Sequence, residues 1–263
     1  MDTAIETLID GRPFAWRAEG EFAWGEGPAL CRLDRDPLLP GLGALGFRVV
    51  DLPAGCADEL ADRTAALLGC ARAELAESYH RQVDEAGHLA TIEKTRELRF
   101  RDLAIAPQPM IEGFAAALGV RLSPNVPVLG HDHVILRLNR PGSSDYNPPH
   151  RDGALAIWAN TLNVWIPITG VDGRTSLPVV PGSHRIAESE CWQTEPGGAA
   201  IGGRPYRVPA IAWLRAGPLQ MVRAAVSFGQ ALLFTPYLIH GLAVNRSDHT
   251  RIALELRLGV TGS

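Results

Sequence analysis

Residues 131–142 read "HDHVILRLNRPG", and the order of these side chains decides how the chain folds. His131, His133, Ile135, Arg137 and Asn139 fall on one side of an extended backbone, while Val134, Leu136 and Leu138 fall on the other. A period of two marks a strand with one buried face, and Pro141-Gly142 closes it. The same grammar continues downstream. "ALAIW" (154–158), "LNVWIPI" (162–168), "LPVV" (177–180), "MVRAAV" (221–226), "ALLFT" (231–235) and "RIALELRL" (251–258) are strand candidates separated by Gly, Pro, Asn and Asp clusters. Many short strands with such punctuation predict a sandwich or double-sheet jelly roll.

Upstream the chain reads as mixed, with helices prominent. "CADELADRTAALLG" (56–69) carries apolar side chains at helical spacing and leads into "ARAELAES" (71–78). In "PQPMIEGFAAALGV" (107–120), Ile111, Phe114, Ala115 and Leu118 share a helical face, and Gly119 stands where a C-cap belongs. No internal repeat or Gly/Ser-rich linker divides the chain. The expectation is a single domain over 1–263 in the α+β class: an all-β core with an α-helical cover. Residues 1–125 form the helix-rich cover, and 126–263 form a cupin-like jelly roll, or double-stranded β-helix. Residues 186–218, rich in Gly, Pro and Trp, read as an insertion at the rim or lid of a site, with Trp192, Arg204, Tyr206 and Trp213 placed to line it.

Bulk properties narrow the function. The 263 residues carry a net charge of −4 without any basic run, which argues against nucleic acid or an anionic membrane as partner. No apolar stretch approaches the roughly 20 residues of a membrane span, and the acidic start "MDTAIETLID" lacks the order of a signal peptide. The four cysteines form no C-x-x-C pair, as befits reduced, packing thiols. A cytoplasmic protein acting on a small molecule is expected. Lys94 is the only lysine, so elsewhere an anionic ligand must be gripped by arginine.

The chemistry concentrates at "NPPHRDGA" (147–154), where two prolines stiffen the approach to His150 and Asp152. A lone H-x-D means little, and "HDH" at 131–133 is a rival cluster. Two histidines and one carboxylate, however, leave three adjacent positions open on an octahedral ion, which suits non-haem Fe(II). Among the other histidines, His240 stands out, because it ends the apolar "ALLFTPYLI" and precedes a glycine. Eleven residues later (251 − 240 = 11) Arg251 opens the next strand. From there a guanidinium can fork onto a carboxylate in the same cavity.

With "PPHRD", "VWIPI", "LPVVPGSHR", "GQALLFTPYLIHG" and "NRSDHTR" in this order, the chain resembles the phytanoyl-CoA dioxygenase-like family of Fe(II)/2-oxoglutarate-dependent oxygenases. The resemblance spans roughly 131–258. It implies that His150, Asp152 and His240 bind iron, and that Arg251 holds the distal carboxylate of 2-oxoglutarate. The turn containing His184 is structural in this picture. Asn163 and Trp165 share a face of the strand that the family runs past the metal, and become cofactor contacts. The implied reaction couples oxidative decarboxylation of 2-oxoglutarate by O2, giving succinate and CO2, to oxidation of a substrate C–H bond. Halogenating relatives replace the carboxylate ligand with a small residue, so Asp152 favours hydroxylation.

Two departures accompany the match. The family commonly places a serine or threonine two residues after the second histidine, where this chain has Leu242. Some members use a lysine on the strand before H-x-D; here Arg137 or Asn139 would substitute, and Arg137 is taken as a cofactor contact. Tyr146, Asn147, Arg151 and Trp158 flank the triad and, with Arg204, are candidate substrate contacts for a small polar or natural-product-like metabolite. His131 and His133 read as wall residues rather than a second metal site. The competing reading is a non-catalytic or hydrolytic cupin-type metal protein that does not use 2-oxoglutarate.

Overall fold

The alternating stretch becomes one strand of a large antiparallel sheet, and its two faces meet different surroundings. The computed structural model describes residues 2–26, 39–72, 75, 78–142, 147–201 and 204–262. Its helices are α1 (Leu39–Leu42), α2 (Cys56–Leu68), α3 (Tyr79–Gln82), α4 (Glu85–Thr95) and α5 (Gln108–Leu118). The strands begin with β1 (Asp2–Ile9), β2 (Arg12–Glu19), β3 (Phe22–Trp24) and β4 (Phe47–Asp51). Then come β5 (Arg121–Ser123), β6 (Asn125–Val126), β7 (His131–Asn139), β8 (Thr161–Thr169) and β9 (Pro178–Val179). The insertion supplies β10 (Cys191–Thr194), β11 (Ala199–Ile201), β12 (Arg204–Tyr206), β13 (Ile211–Leu214) and β14 (Gly217–Pro218). The chain closes with β15 (Gln220–Arg223), β16 (Gln230–Phe234) and β17 (Arg251–Gly262).

The major sheet runs β4-β16-β8-β17-β7-β6, with β5 also paired to β17. Leu136 lies opposite Leu254, and Leu254 opposite Ile166. This register lines up Val134, Leu136, Leu138, Leu162, Val164, Ile166, Ile252, Leu254 and Leu256 on one face. They pack with Leu60, Ile111, Phe114 and Leu118 of α2 and α5 in the largest apolar core. Each such side chain contributes about 1.5–3 kcal/mol on burial. Gly69 and Gly119 end α2 and α5 in the left-handed conformation, as the C-cap reading requires. The opposite face turns Trp165, Leu232, Phe234 and Ala253 toward Leu177, Val179 and Leu238 in a second core.

Two smaller sheets cover that inner side. One runs β12-β11-β2-β1-β15-β9 and the other β14-β13-β10-β3. The architecture is the double-sheet, jelly-roll type expected. Two expectations are corrected. Residues 2–24 are strands, not helical cover, and they complete the sheets of the insertion. "ALAIW" is not a strand; residues 152–158 form two short 3-10 turns. There the ring of Tyr237 sits where a Cβ on Gly153 would fall, 2.6 Å away, so the chain folds tightly against it. The "ARAELAES" segment lies partly outside the described residues.

Candidate metal centre and anion pocket

His150 and His240 come from separate chain segments that bridge each other. The amide of His150 donates to the carbonyl of His240 at 3.0 Å, and the reverse bond spans 3.1 Å. His240 also bridges Val179 of β9. This close approach needs Gly241: with φ 146°, any Cβ there would lie 2.4 Å from the carbonyl oxygen of Pro148. Asp152 opens the adjacent 3-10 turn. One ligating atom from each of His150, Asp152 and His240 lies within 4.8 Å of the others, and all three residues are buried. No other such cluster occurs among the described residues.

Hydrogen bonds fix both tautomers. Nδ1 of His150 lies 2.7 Å from the Pro148 carbonyl, and Nδ1 of His240 lies 3.0 Å from that of Leu238. A carbonyl only accepts, so each Nδ1 carries the proton and each Nε2 presents a bare lone pair. These lone pairs face the Asp152 carboxylate at 3.3 and 3.5 Å. Burial, then the neighbouring His150, lowers the His240 pKa to about 4, so it stays neutral at physiological pH. Burial would raise the Asp152 carboxyl, but Arg257 first, and then the histidines, hold it well below the usual range. Two imidazole nitrogens and a carboxylate oxygen gathered within 4.8 Å of one another suit a cation. The donor set therefore fits a divalent metal.

A cavity of about 150 Å³ opens beside the triad, lined by His150, His240 and Arg251 among others. At ~30 Å³ per liquid water, it has the capacity for a small organic anion. Arg251 is 3% exposed, its Nε has no hydrogen-bond partner, and no carboxylate pairs with it among the described residues. Its guanidinium lies 5.6 Å from the centroid of the Trp165 ring. Burial, and then Arg137, lower its pKa to about 9. A desolvated cation with no counter-ion is costly, and an incoming carboxylate would remove that cost.

The other anticipated residues divide clearly. Arg137, Trp165 and Asn147 line the cavity. Asn163 instead donates from Nδ2 to Oδ2 of Asp152 at 2.6 Å. Arg151 points away from the triad: it pairs with buried Glu188 and donates to the carbonyls of Ser183 and Ile186 at 2.7 and 2.8 Å. It ties the metal loop to the base of the insertion. Trp158 packs edge-on against His133, with Arg257 over its ring. His184 is buried in its own 3-10 turn, apart from the triad. Leu242 is buried in the apolar core of the small sheets and offers no hydroxyl there. Trp192 and Trp213 pair with each other in the β10–β13 ladder and do not line the cavity. Tyr146 and the Arg204 side chain lie outside the described residues.

Arg257 and Glu255 were given no role near the metal, and Tyr206, expected only at the rim of the site, reaches the triad itself. Tyr206, carried in by β12, places its hydroxyl 3.2 Å from Nε2 of His150. Arg257 donates from Nη2 to Oδ2 of Asp152 at 2.8 Å. Glu255 pairs with both Arg257 and Arg137. The period of β17 does put Arg251, Glu255 and Arg257 on one face; their partners required the register.

A sandwich whose inner cavity joins two histidines and a carboxylate to an isolated buried arginine defines a class: double-stranded β-helix proteins with a facial metal site. The chain belongs to the phytanoyl-CoA dioxygenase (PhyH) family, whose model matches residues 52–253, and is thus an iron- and 2-oxoglutarate-dependent oxygenase by family. No curated protein sequence matches it. Among solved structures, AviO1 from Streptomyces viridochromogenes Tue57 is 17% identical with a TM-score of 0.50, covering 87% of this chain and 96% of that one. EctD from S. alaskensis is 14% identical (TM-score 0.47, coverage 92% and 84%). The epimerase SnoN from nogalamycin biosynthesis is 18% identical (TM-score 0.46, coverage 82% and 77%). Identities this low speak to the fold alone. Among the described residues no helix is long and apolar enough to cross a membrane.

Proposed function

We propose that the protein is an Fe(II)- and 2-oxoglutarate-dependent dioxygenase that hydroxylates a small polar metabolite or natural-product intermediate, releasing succinate and CO2. His150, Asp152 and His240 would hold the iron through two imidazole Nε2 atoms and one carboxylate oxygen. Arg251 would bind the far carboxylate of 2-oxoglutarate against Trp165. When bound, iron with 2-oxoglutarate and O2 supplies the oxidising power. The chain fixes the ligands, keeps the His240 imidazole neutral and lines the cavity with both apolar side chains (Ile135, Leu138, Trp165) and polar ones.

The observation that carries this reading is Arg251, buried, without a paired carboxylate among the described residues, and lining the same cavity as His150 and His240. Charge balance agrees. Asp152, Arg257, Glu255 and Arg137 sum to zero, leaving Arg251 as an excess of one. A divalent ion alone would raise that excess in a buried space, whereas the ion together with a dicarboxylate leaves it unchanged. A cupin-type metal protein without 2-oxoglutarate has no use for this arginine. Asp152 keeps chloride from an open metal position and favours hydroxylation over halogenation. Arg137 and Asn147 at the cavity wall favour a polar or anionic substrate.

The test is anaerobic addition of Fe(II) and 2-oxoglutarate, followed by visible absorption. A metal-to-keto-acid charge-transfer band is expected for the wild type and should disappear in His240→Ala. No band in the wild type, or an equal band in the variant, would overturn the proposal.

A further inference from the structure

Two donors converge on the same oxygen of the Asp152 carboxylate. Asn163 Nδ2 reaches Oδ2 at 2.6 Å from β8, and Arg257 Nη2 reaches it at 2.8 Å from β17. Asn163 and Arg257 are register partners across the two strands, so they approach from adjacent positions on one sheet face. A carboxylate oxygen has two in-plane lone pairs, and these two bonds use both. Among the described residues no other residue donates a hydrogen bond to Oδ1, which lies 3.3 Å from Nε2 of His150.

Arg257 is itself held. Its guanidinium is 3% exposed, pairs with Oε1 of Glu255 and lies over the Trp158 ring. The other Glu255 oxygen accepts from Nε of Arg137 at 2.5 Å. Arg137, Glu255, Arg257 and Asp152 thus form an alternating chain of charges along the inner face of the major sheet, from the cavity wall to the triad. A chain of this kind resists rotation of each member, because turning one carboxylate breaks contacts at two neighbours.

We infer that Arg257 and Asn163 are positioning residues that hold Asp152 by Oδ2, so that it offers the metal Oδ1 alone. This rests on the reading of His150, Asp152 and His240 as metal ligands. The consequence is coordination number: a one-oxygen carboxylate leaves three positions open, whereas a chelating one leaves two. By holding Oδ2, Arg257 and Asn163 would leave the open metal positions to the keto acid and O2, without being ligands themselves.

The experiment uses protein labelled with 13C at the aspartate carboxyl, and infrared difference spectra between metal-free and Zn(II)-loaded forms. A one-oxygen carboxylate separates its symmetric and antisymmetric stretches widely; a chelating one narrows the gap. The wild type is expected to show the wide separation. Arg257→Met should narrow it and weaken 2-oxoglutarate binding to the metal-loaded protein at least tenfold, while Arg257→Lys restores both in part. Asn163→Leu removes the second donor without changing charge, and Arg257→Met/Glu255→Gln keeps the buried network neutral; both should narrow the gap even if Arg257→Met misfolds. A narrow gap in the wild type, or wide gaps in every folded variant, would overturn the inference. Failure of the wild type to bind Zn(II) at all, or equal binding by His240→Ala, would instead overturn the triad reading beneath it.

Discussion

Strand β17 has two faces that are governed by opposite rules. Ile252, Leu254, Leu256 and Leu258 face the helices and are fully buried in apolar surroundings. Arg251, Glu255 and Arg257 are on the opposite face, toward the cavity and the triad, and are almost as buried, yet each is charged. One side releases free energy on folding; the other spends part of it holding charges out of water. Leu254 and Glu255 are neighbours in sequence and belong to different problems. A strand of this kind fixes the position of its polar face by the strength of its apolar one, so the geometry of the site is a property of residues that never touch it.

Substitutions at adjacent positions can break that comparison. Glu255→Ala leaves buried Arg257 and partly exposed Arg137 without their shared anion and should cost about 3 kcal/mol in denaturant unfolding; a Glu255→Leu variant should recover part of it. Leu254→Ala should cost about 2–5 kcal/mol through the cavity it leaves, while 2-oxoglutarate affinity in the folded fraction stays near wild type. Arg251→Ala should do the reverse. Stability should change by no more than about 1 kcal/mol, because no ion pair is lost, while 2-oxoglutarate binding, measured by titrating the charge-transfer band, weakens by about 2–3 kcal/mol.

The smallest effect expected is on pH dependence. Burial, and then Arg257, lower the His133 pKa from 6.5 to about 4, and His240 behaves similarly. The unfolded chain therefore binds these protons first. Stability of the metal-free protein should be fully present above pH 6.5 and decline between there and pH 4. Thermal melts of the metal-free protein across that range check the sign; a rise in melting temperature on acidification would refute it. His133→Gln should flatten the slope.

Much of the major sheet was legible because its strands have one clean apolar face, and a period of two survives any change of partner. The triad was legible because H-x-D and I-H-G stand inside ordered motifs, and the structure brings their side chains together across an isolated bridge rather than at strand ends. Asn163 was anticipated beside the metal, but which atom it would touch depends on register, which periodicity does not give. Arg257 needed the same information, since its role follows from lying opposite Asn163 and His133. The first strands were missed although a signal was present. Asp10-Gly11 both take positive φ and join β1 to β2 in register, the pattern of a two-residue hairpin turn. The strand expected at 154–158 failed because its hydrophobicity packs turns, not a ladder.

That hairpin carries a lesson for remodelling the enzyme. Residues 2–24 precede the segment matched by the family model, yet β2 pairs with β11, β3 with β10, and β1 with β15. The wall that delivers Tyr206 to the metal is thus assembled from two distant stretches of chain. A designer who grafts residues 186–218 into another scaffold to transfer selectivity would import strands with open edges, prone to pair with the wrong neighbour. The transferable module is the insertion together with its hairpin.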